Sequence, residues 1–99
     1  MPLFAIICTD KPQEGLALRK ANREKHLGWL DSLGDTLKAA GPFIDDEGNP
    51  AGSLIIVEAD SREAAEALAA QDPYRQAGVF ESVEIRPWKW LLKKPDWVA

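Results

Sequence analysis

An almost uninterrupted apolar run, Leu3–Thr9, stands near the start of the chain. A strand with one face in water alternates apolar and polar side chains, whereas a strand covered on both faces stays apolar throughout. The run therefore predicts a central strand whose sheet is covered on both faces. A chain of 99 residues buries a modest core, so a partner subunit would help to stabilise it.

A helical pattern follows the first strand at residues 14–33. It places Leu16, Leu27 and Leu30 within one arc of the helix surface. Gly34 comes next, in the position that a left-handed residue takes at the end of a helix. The segment therefore predicts one helix that ends at Gly34.

Two further strands, residues 36–44 and 52–59, flank a polar turn and predict a hairpin. Gly41 and Pro42 lie inside the first of them. Because proline has no N–H to donate to a sheet, we expect this strand to lie at an edge or to carry a bend or bulge at this pair.

A second helix and a last strand follow the hairpin. Asp60 and Glu63 have the spacing of a capping box, which predicts a helix that starts at Asp60. This helix covers residues 61–70 and ends before the Asp-Pro-Tyr tripeptide at 72–74. The alternating segment 79–85 predicts the fourth strand.

The predicted order of elements is β-α-β-β-α-β, the ferredoxin-like arrangement of an α+β protein. One antiparallel sheet would carry two helices on one face, and dimerisation through the other face would cover it. No linker divides the sequence, so we expect residues 1–99 to form one domain with 88–99 as a C-terminal extension.

The extension holds three of the four tryptophans of the chain. Aromatic side chains in such density rarely stay in water, and tryptophan is enriched at interfaces. These residues either cover the chain's own core or cross to a second subunit, and we favour the second interpretation.

Composition excludes several classes of partner. The net charge of −4 and the pI near 4.9 argue against nucleic acid, whose phosphates need a basic surface. An RNA-binding domain of this topology would also expose aromatic residues on its central strands, where only Phe4 and Phe80 occur. No stretch approaches about 20 apolar residues and no basic segment precedes the first strand, so we expect a cytoplasmic protein without a membrane partner.

Cys8 and His26 are the only cysteine and histidine of the chain. An intrachain disulfide is therefore impossible, and no Cys/His spacing for a metal exists. Cys8 lies inside an apolar strand pattern, so we expect a buried, inert thiol. We predict no cofactor and no protein-only metal site; a loosely held ion on carboxylates stays open.

His26 and Asp72 are the candidates for chemistry. His26 lies on the first predicted helix, and the proline that follows Asp72 biases Asp72 toward an extended backbone. A carboxylate bound to one imidazole nitrogen fixes the tautomer and leaves the other nitrogen to act on a substrate or water. The alternatives are a packed or solvated histidine and an ordinary Asp-Pro turn, because spacing alone cannot show that the two residues meet.

Arg19 and Arg23 fall on or beside the arc of the leucines. A buried cation without a partner costs several kcal/mol. We therefore expect a carboxylate, a bound anion or a water-filled cleft beside Arg23. The alternative is an arginine whose stem packs while its charged end reaches solvent.

Several short segments together resemble the YCII-related (YciI-like) family, from Leu3 to about Trp88. They are 23–27 (REKHL), 40–42 (AGP), 52–53 (GS), 72–80 (DPY and AGVF) and 86–88 (RPW). The resemblance implies a dimeric α+β barrel of two ferredoxin-like subunits packed back to back. It also implies a cleft with a His–Asp pair that is proposed to be catalytic. One relative is a dechlorinating hydrolase, whereas most members have no assigned reaction.

Carried over to this sequence, the family's motifs make His26 and Asp72 the catalytic pair. They make Arg23, Ser53 and Tyr74 the candidates for substrate binding. The turn between the second and third strands is short here and the tail is longer, and both differences leave the size of the substrate open.

Two functions compete. The leading hypothesis is a small cofactor-independent homodimeric enzyme with a small-molecule substrate. In it His26 is the general base or acid, Asp72 orients it and Arg23 binds an anionic or carbonyl group. The reaction would be that of a hydrolase, a lyase or an isomerase. The second hypothesis is a ligand-binding or protein-interaction module that keeps the cleft without turnover.

Overall fold

The structure, a computed structural model, describes residues 2–98. One antiparallel sheet contains β1 (Leu3–Asp10), β2 (Leu37–Ile44), β3 (Pro50–Glu58) and β4 (Phe80–Trp88). The spatial order of the strands is β2-β3-β1-β4. The predicted central position of the first apolar run is therefore confirmed.

Two pairs of helices connect the strands. α1 (Gly15–Ala21) and α2 (Arg23–Ser32) join β1 to β2, and α3 (Arg62–Ala70) and α4 (Pro73–Gln76) join β3 to β4. The predicted ferredoxin-like α+β fold is confirmed, with the first predicted helix split in two and a short helix, α4, added after the second. None of the helices found in residues 2–98 has the length and apolar character needed to cross a membrane.

The helices pack on one face of the sheet. Alternate side chains of β1 point to this face, where Phe4, Ile6 and Cys8 are at most 5% exposed. Burying a large aliphatic side chain in such a cluster contributes about 1.5–3 kcal/mol. The small residues of α3 let the helix approach the sheet closely, as its sequence indicated. The cluster also contains Ile55, Val57, Ala65, Ala69 and Ile85.

The opposite side of the sheet, here called the open sheet face, carries Ile7, Phe43, Leu54 and Trp88. None of these residues belongs to the buried cluster under the helices. Phe43 and Trp88 are 42% and 40% exposed. The protomer thus presents large apolar side chains on a sheet face that its own helices do not cover, with Glu84 and Arg86 of β4 on the same face.

The predicted single helix over 14–33 is wrong in one respect, because the chain breaks it at Asn22. Asn22 has φ −115° and ψ 10°, outside the helical range. Its side-chain amide donates to the carbonyl of Leu18 at 2.9 Å. Asparagine side chains compete in this way for backbone groups, which favours a helix end over a helix interior. Gly34 has φ +55°, in agreement with its predicted left-handed position.

The predicted edge position of β2 is confirmed, but the bend at Gly41 and Pro42 is wrong. These residues pair in register with Leu54 and Ser53, and the register shifts lie near the two ends of β2. An edge strand has a neighbour on one side only, so a proline there can turn its ring outward without breaking the ladder.

The start of α3 differs from the capping-box prediction. Ser61, rather than Asp60, is the N-cap: its backbone is extended and its hydroxyl accepts from the amide of Ala64 at 3.1 Å. The N-cap hydroxyl of serine satisfies an N–H that has no partner within the helix. The cap therefore falls one residue later than the spacing of Asp60 and Glu63 indicated.

The tail packs partly on itself. The ring centroid of Trp90 lies 5.4 Å from that of Trp88 and 6.5 Å from that of Trp97. Val98 is buried. The tail therefore covers some of its own apolar surface and leaves the rest exposed. Its exposed large side chains are Leu91, Leu92 and Trp97.

Replacing Ser61 by Ala should lower the free energy of unfolding by about 1 kcal/mol, because the amide of Ala64 loses its acceptor. Urea denaturation followed by circular dichroism measures this change. Asp60→Ala is the matched control and should have a smaller effect. A larger loss in Asp60→Ala would contradict Ser61 as the cap.

Candidate active site

His26 and Asp72 meet in the structure, although they lie far apart in the chain. Nδ1 of His26 lies 2.8 Å from Oδ1 of Asp72, and the two residues are 7% and 1% exposed. A carboxylate can only accept, so Nδ1 carries the hydrogen and donates it. Nε2 is then free to accept a proton in the neutral ring.

The Asp-Pro-Tyr segment holds Asp72 in place as the N-cap of α4. The same Oδ1 accepts from the backbone amide of Tyr74 at 2.9 Å, and Pro73 occupies the first turn of the helix. Proline suits this position because its missing N–H would have no partner within the helix. The Asp-Pro-Tyr tripeptide is thus the beginning of a short helix. Oδ2 of Asp72 is buried without a partner among residues 2–98.

Tyr74 packs flat against the imidazole. The two ring centroids lie 3.8 Å apart with an interplanar angle of 8°. The tyrosine is buried, and Phe80 contacts its ring edge-on. Burial raises the pKa of the Tyr74 hydroxyl, against the opposing effect of the Arg19 and Arg23 charges. Tyr74 therefore restricts the imidazole plane and keeps a protonated hydroxyl.

The buried cation of the site is Arg19, whereas Arg23 is exposed, in agreement with the alternative of an arginine whose charged end reaches solvent. Nε and Nη2 of Arg19 donate to the two carboxylate oxygens of Asp10 at 2.9 and 2.7 Å. Burial opposes the charge of Arg19, but the hydrogen bond and charge of Asp10 raise its pKa above the ordinary value. Arg23 is exposed and needs no such partner. The sequence placed both arginines on one arc, and it contained no signal that Asp10 would pair with either.

Ser53 is held by the same arginine. Nη2 of Arg19 donates to its hydroxyl at 3.1 Å, and the serine is 3% exposed. Gly52 allows β3 to approach β1 here, because a Cβ at this position would lie 2.4 Å from the carbonyl oxygen of Cys8. The Gly-Ser pair therefore has a steric requirement at its first residue and a polar contact at its second.

A cavity of ≈ 360 Å³ lies between the α1–α2 helices and the β2–β3 edge of the sheet. Four of the five predicted site residues line it: Arg23, His26, Ser53 and Tyr74. Asp72 lies behind the imidazole and is not part of the wall. The volume is within the range of small-molecule sites. Sequence reasoning did not name the other wall residues as site residues, among them Leu16, Arg19, Lys20 and Leu27.

Neither the thiol of Cys8 nor a metal-binding cluster forms a second reactive centre within residues 2–98. Burial raises the pKa of the Cys8 thiol to about 12, and the predicted buried position of this residue is confirmed. Within residues 2–98 no three His, Cys, Asp or Glu side chains form a group suited to a metal ion. The chemistry that this arrangement can perform is proton transfer at His26.

Comparison with known proteins places this chain in a family. The family model described as YCII-related domain matches residues 2–89. An uncharacterized protein of Haemophilus influenzae is 41% identical over 95 residues, which cover 87% of this chain and 95% of that protein. Protein YciI of Escherichia coli O6:H1 is 40% identical over 95 residues, covering 88% and 96%.

A solved structure is also similar in fold and sequence. It is the 5-chloro-2-hydroxyhydroquinone dehydrochlorinase TftG from Burkholderia phenoliruptrix AC1100, in complex with 2,5-dihydroxybenzoquinone. The TM-score is 0.79 at 30% sequence identity, and the match covers 88% of this chain and 93% of that one. A protein similar to this chain therefore binds a small molecule.

Replacing Arg19 by Met would leave the Asp10 carboxylate buried without its partner. We expect the free energy of unfolding to fall by about 3–5 kcal/mol, measured by urea denaturation. The matched control Arg23→Met removes an exposed guanidinium and should change it by less than about 0.5 kcal/mol. Equal losses in the two variants would contradict a structural role specific to Arg19.

Proposed function

The chain belongs to the YCII-related family, and we propose that it is a small enzyme that needs no cofactor and uses His26 and Asp72 for acid–base chemistry. The substrate is a small organic molecule. The observation that carries the proposal is the buried 2.8 Å hydrogen bond between the two residues, with the imidazole in the wall of the cavity. A buried pair of this kind beside an open cavity is a common arrangement for proton transfer.

Each neighbour of His26 has a role in this proposal. Asp72 fixes the tautomer and stabilises the positive charge that forms when Nε2 takes a proton. Tyr74 restricts the orientation of the ring through the 3.8 Å stack. Arg23 and Ser53, both in the wall, bind the polar groups of the substrate. None of these roles requires a metal or an organic cofactor.

The reaction begins with abstraction of a proton by Nε2 of His26. In a hydrolytic reaction the proton comes from water, and the hydroxide so formed bonds to the substrate. The leaving group then departs with the electrons of its broken bond, and the proton on His26 is released to it or to solvent. In an elimination the proton comes from the substrate, its bonding electrons form the new double bond and the leaving group departs with its own pair. Because the similar protein TftG is a dehydrochlorinase, halogenated hydroxyaromatic compounds are the first substrates to test.

Replacing His26 by Asn or Asp72 by Asn should lower turnover of an accepted substrate by about 10²–10⁴-fold, because the general base or its orientation is lost. The measurement is a chloride-release and absorbance assay on a panel of chlorinated hydroquinones and catechols. Lys25→Gln changes an exposed cation next to His26 and should leave turnover unchanged.

Two outcomes would contradict the proposal. Equal turnover in His26→Asn would remove His26 from the chemistry. Saturable ligand binding without turnover across the panel would favour a binding module, in which the His–Asp hydrogen bond is only structural. Circular dichroism of each variant separates these outcomes from misfolding.

We also propose that the protein is a homodimer that pairs through the open sheet face. The exposed Phe43 and Trp88 belong to this apolar surface, and Trp88 continues into the tail with its exposed leucines. A second copy offers the same flat apolar surface, so each would cover the other. A cytoplasmic location and the lack of a nucleic-acid partner stay predictions of the sequence.

Replacing Phe43 by Glu should convert the dimer to a monomer, because it would bury a charge between the sheets. Sedimentation velocity at several protein concentrations measures the state. Ala67→Glu adds the same charge on the exposed side of α3 and should stay dimeric. Leu92→Glu tests whether the tail takes part. A monomeric parent protein would refute the proposal.

A further inference from the structure

The cavity wall has a charge opposite to that of the chain as a whole. The protein carries 16 acidic and 12 basic side chains, for a net charge of −4. Arg19, Lys20 and Arg23 nevertheless line the cavity, and no carboxylate of residues 2–98 does. A wall of this kind favours an anionic ligand.

The three cations are not equivalent. Arg19 is buried and its charge is balanced by Asp10 in the bidentate pair. Lys20 and Arg23 are exposed, and neither forms an ion pair with a carboxylate in the described part of the chain. The unbalanced positive charge therefore lies at the solvent end of the cavity, on neighbouring turns of α1 and α2.

The charge of Arg23 acts inside the cavity as well. Burial raises the pKa of the Tyr74 hydroxyl, and the charges of Arg23 and Arg19 oppose this rise. An oxygen that carries negative charge near Tyr74 would be stabilised by the same two arginines. The positive charge of Arg23 at the entrance therefore also acts on the buried Tyr74 hydroxyl.

Apart from His26, Ser53 and Tyr74, the rest of the wall is apolar. Leu16, Leu27 and Leu30 line it from the helices, and Pro42 and Ile55 from the sheet. Leu27 is 44% exposed in the protomer. A ligand with an apolar body would cover these side chains and remove their surface from water.

We propose that this site takes an organic anion: an ionised carboxylate or phenolate on a body about the size of one ring. The anionic oxygen binds between Lys20 and Arg23, and the apolar body lies along the leucines with its reacting atom at His26. The inference rests on the proposed function, because it names the substrate class of the same site. It adds Lys20 and the leucines of α1 and α2 as specificity-determining residues.

The position of the two cations has a physical advantage. Exposed charges keep part of their hydration when the anion binds, so the desolvation cost is smaller than for a buried pair. Charges at an entrance also speed the encounter with an anion, in a manner that salt weakens.

The test compares pairs of ligands with the same carbon skeleton, one member carrying a carboxylate and the other an alcohol. Benzoate and benzyl alcohol share one ring, as do 3-phenylpropanoate and 3-phenylpropanol, and isothermal titration calorimetry measures their dissociation constants. We expect each anion to bind at least about tenfold more tightly than its alcohol at low salt. The preference should shrink as the ionic strength rises.

Single substitutions test where in the cavity the anion binds. Lys20→Gln and Arg23→Gln should each weaken binding of the anions about three- to tenfold and leave the alcohols unchanged. Lys25→Gln removes an exposed cation from the same helix as Arg23, outside the cavity wall, and should change nothing. Leu27→Ala should weaken both members of each ligand pair to the same extent.

Equal affinity for the charged and neutral ligands would overturn the inference. The inference would also be overturned if Lys25→Gln reduced the preference for anions as much as Lys20→Gln and Arg23→Gln do. Failure of all four probes to bind at millimolar concentration would overturn it too. His26→Asn separates this inference from the proposed function. Retained anion preference in that variant supports the subsite even if no turnover is found, and turnover of neutral substrates alone would refute the subsite while the acid–base proposal stands.

Discussion

The buried ion pair between Arg19 and Asp10 ties together the elements that form the site. Arg19 extends from α1, Asp10 ends β1, and the same guanidinium donates to Ser53 of β3. Its Cζ atom also lies 4.7 Å from the centre of the Tyr74 ring at the start of α4. Because a buried charge without its partner costs several kcal/mol, these elements are held in one arrangement.

His26 depends on this arrangement through Tyr74. The tyrosine ring lies against both the guanidinium and the imidazole, and its backbone amide donates to Asp72. The histidine is therefore constrained by a stack on its face and by a hydrogen bond at Nδ1. An imidazole whose orientation is set in this way would not lose rotational freedom if a substrate bound beside it. The same packing leaves the outer half of the cavity, with Lys20 and Arg23, open to solvent.

Local patterns predicted the fold well because each helix and strand has a recognisable pattern within a few consecutive residues. The apolar run of β1 predicted the central strand. Pro42 predicted either an edge position or a bend for β2, and the structure has the edge position. The errors came where two local signals competed. Asn22 broke a helix that the leucine spacing continued, and Ser61 rather than Asp60 took the cap. In both cases the outcome depends on the backbone angles of one residue, which residue spacing does not contain.

The candidate site shows more clearly the difference between what residue types predict and what the structure decides. Residue types singled out His26 and Asp72, because a lone histidine and an Asp-Pro step are visible in the sequence. Arg19 and Arg23 share one helical arc, and the sequence could not tell which of them is buried. By itself the sequence determined the order of the elements and the groups available for chemistry, since both follow from local periodicity and residue identity. Only the tertiary structure decided which groups are paired and which face solvent, because contacts between distant residues depend on how the helices pack on the sheet.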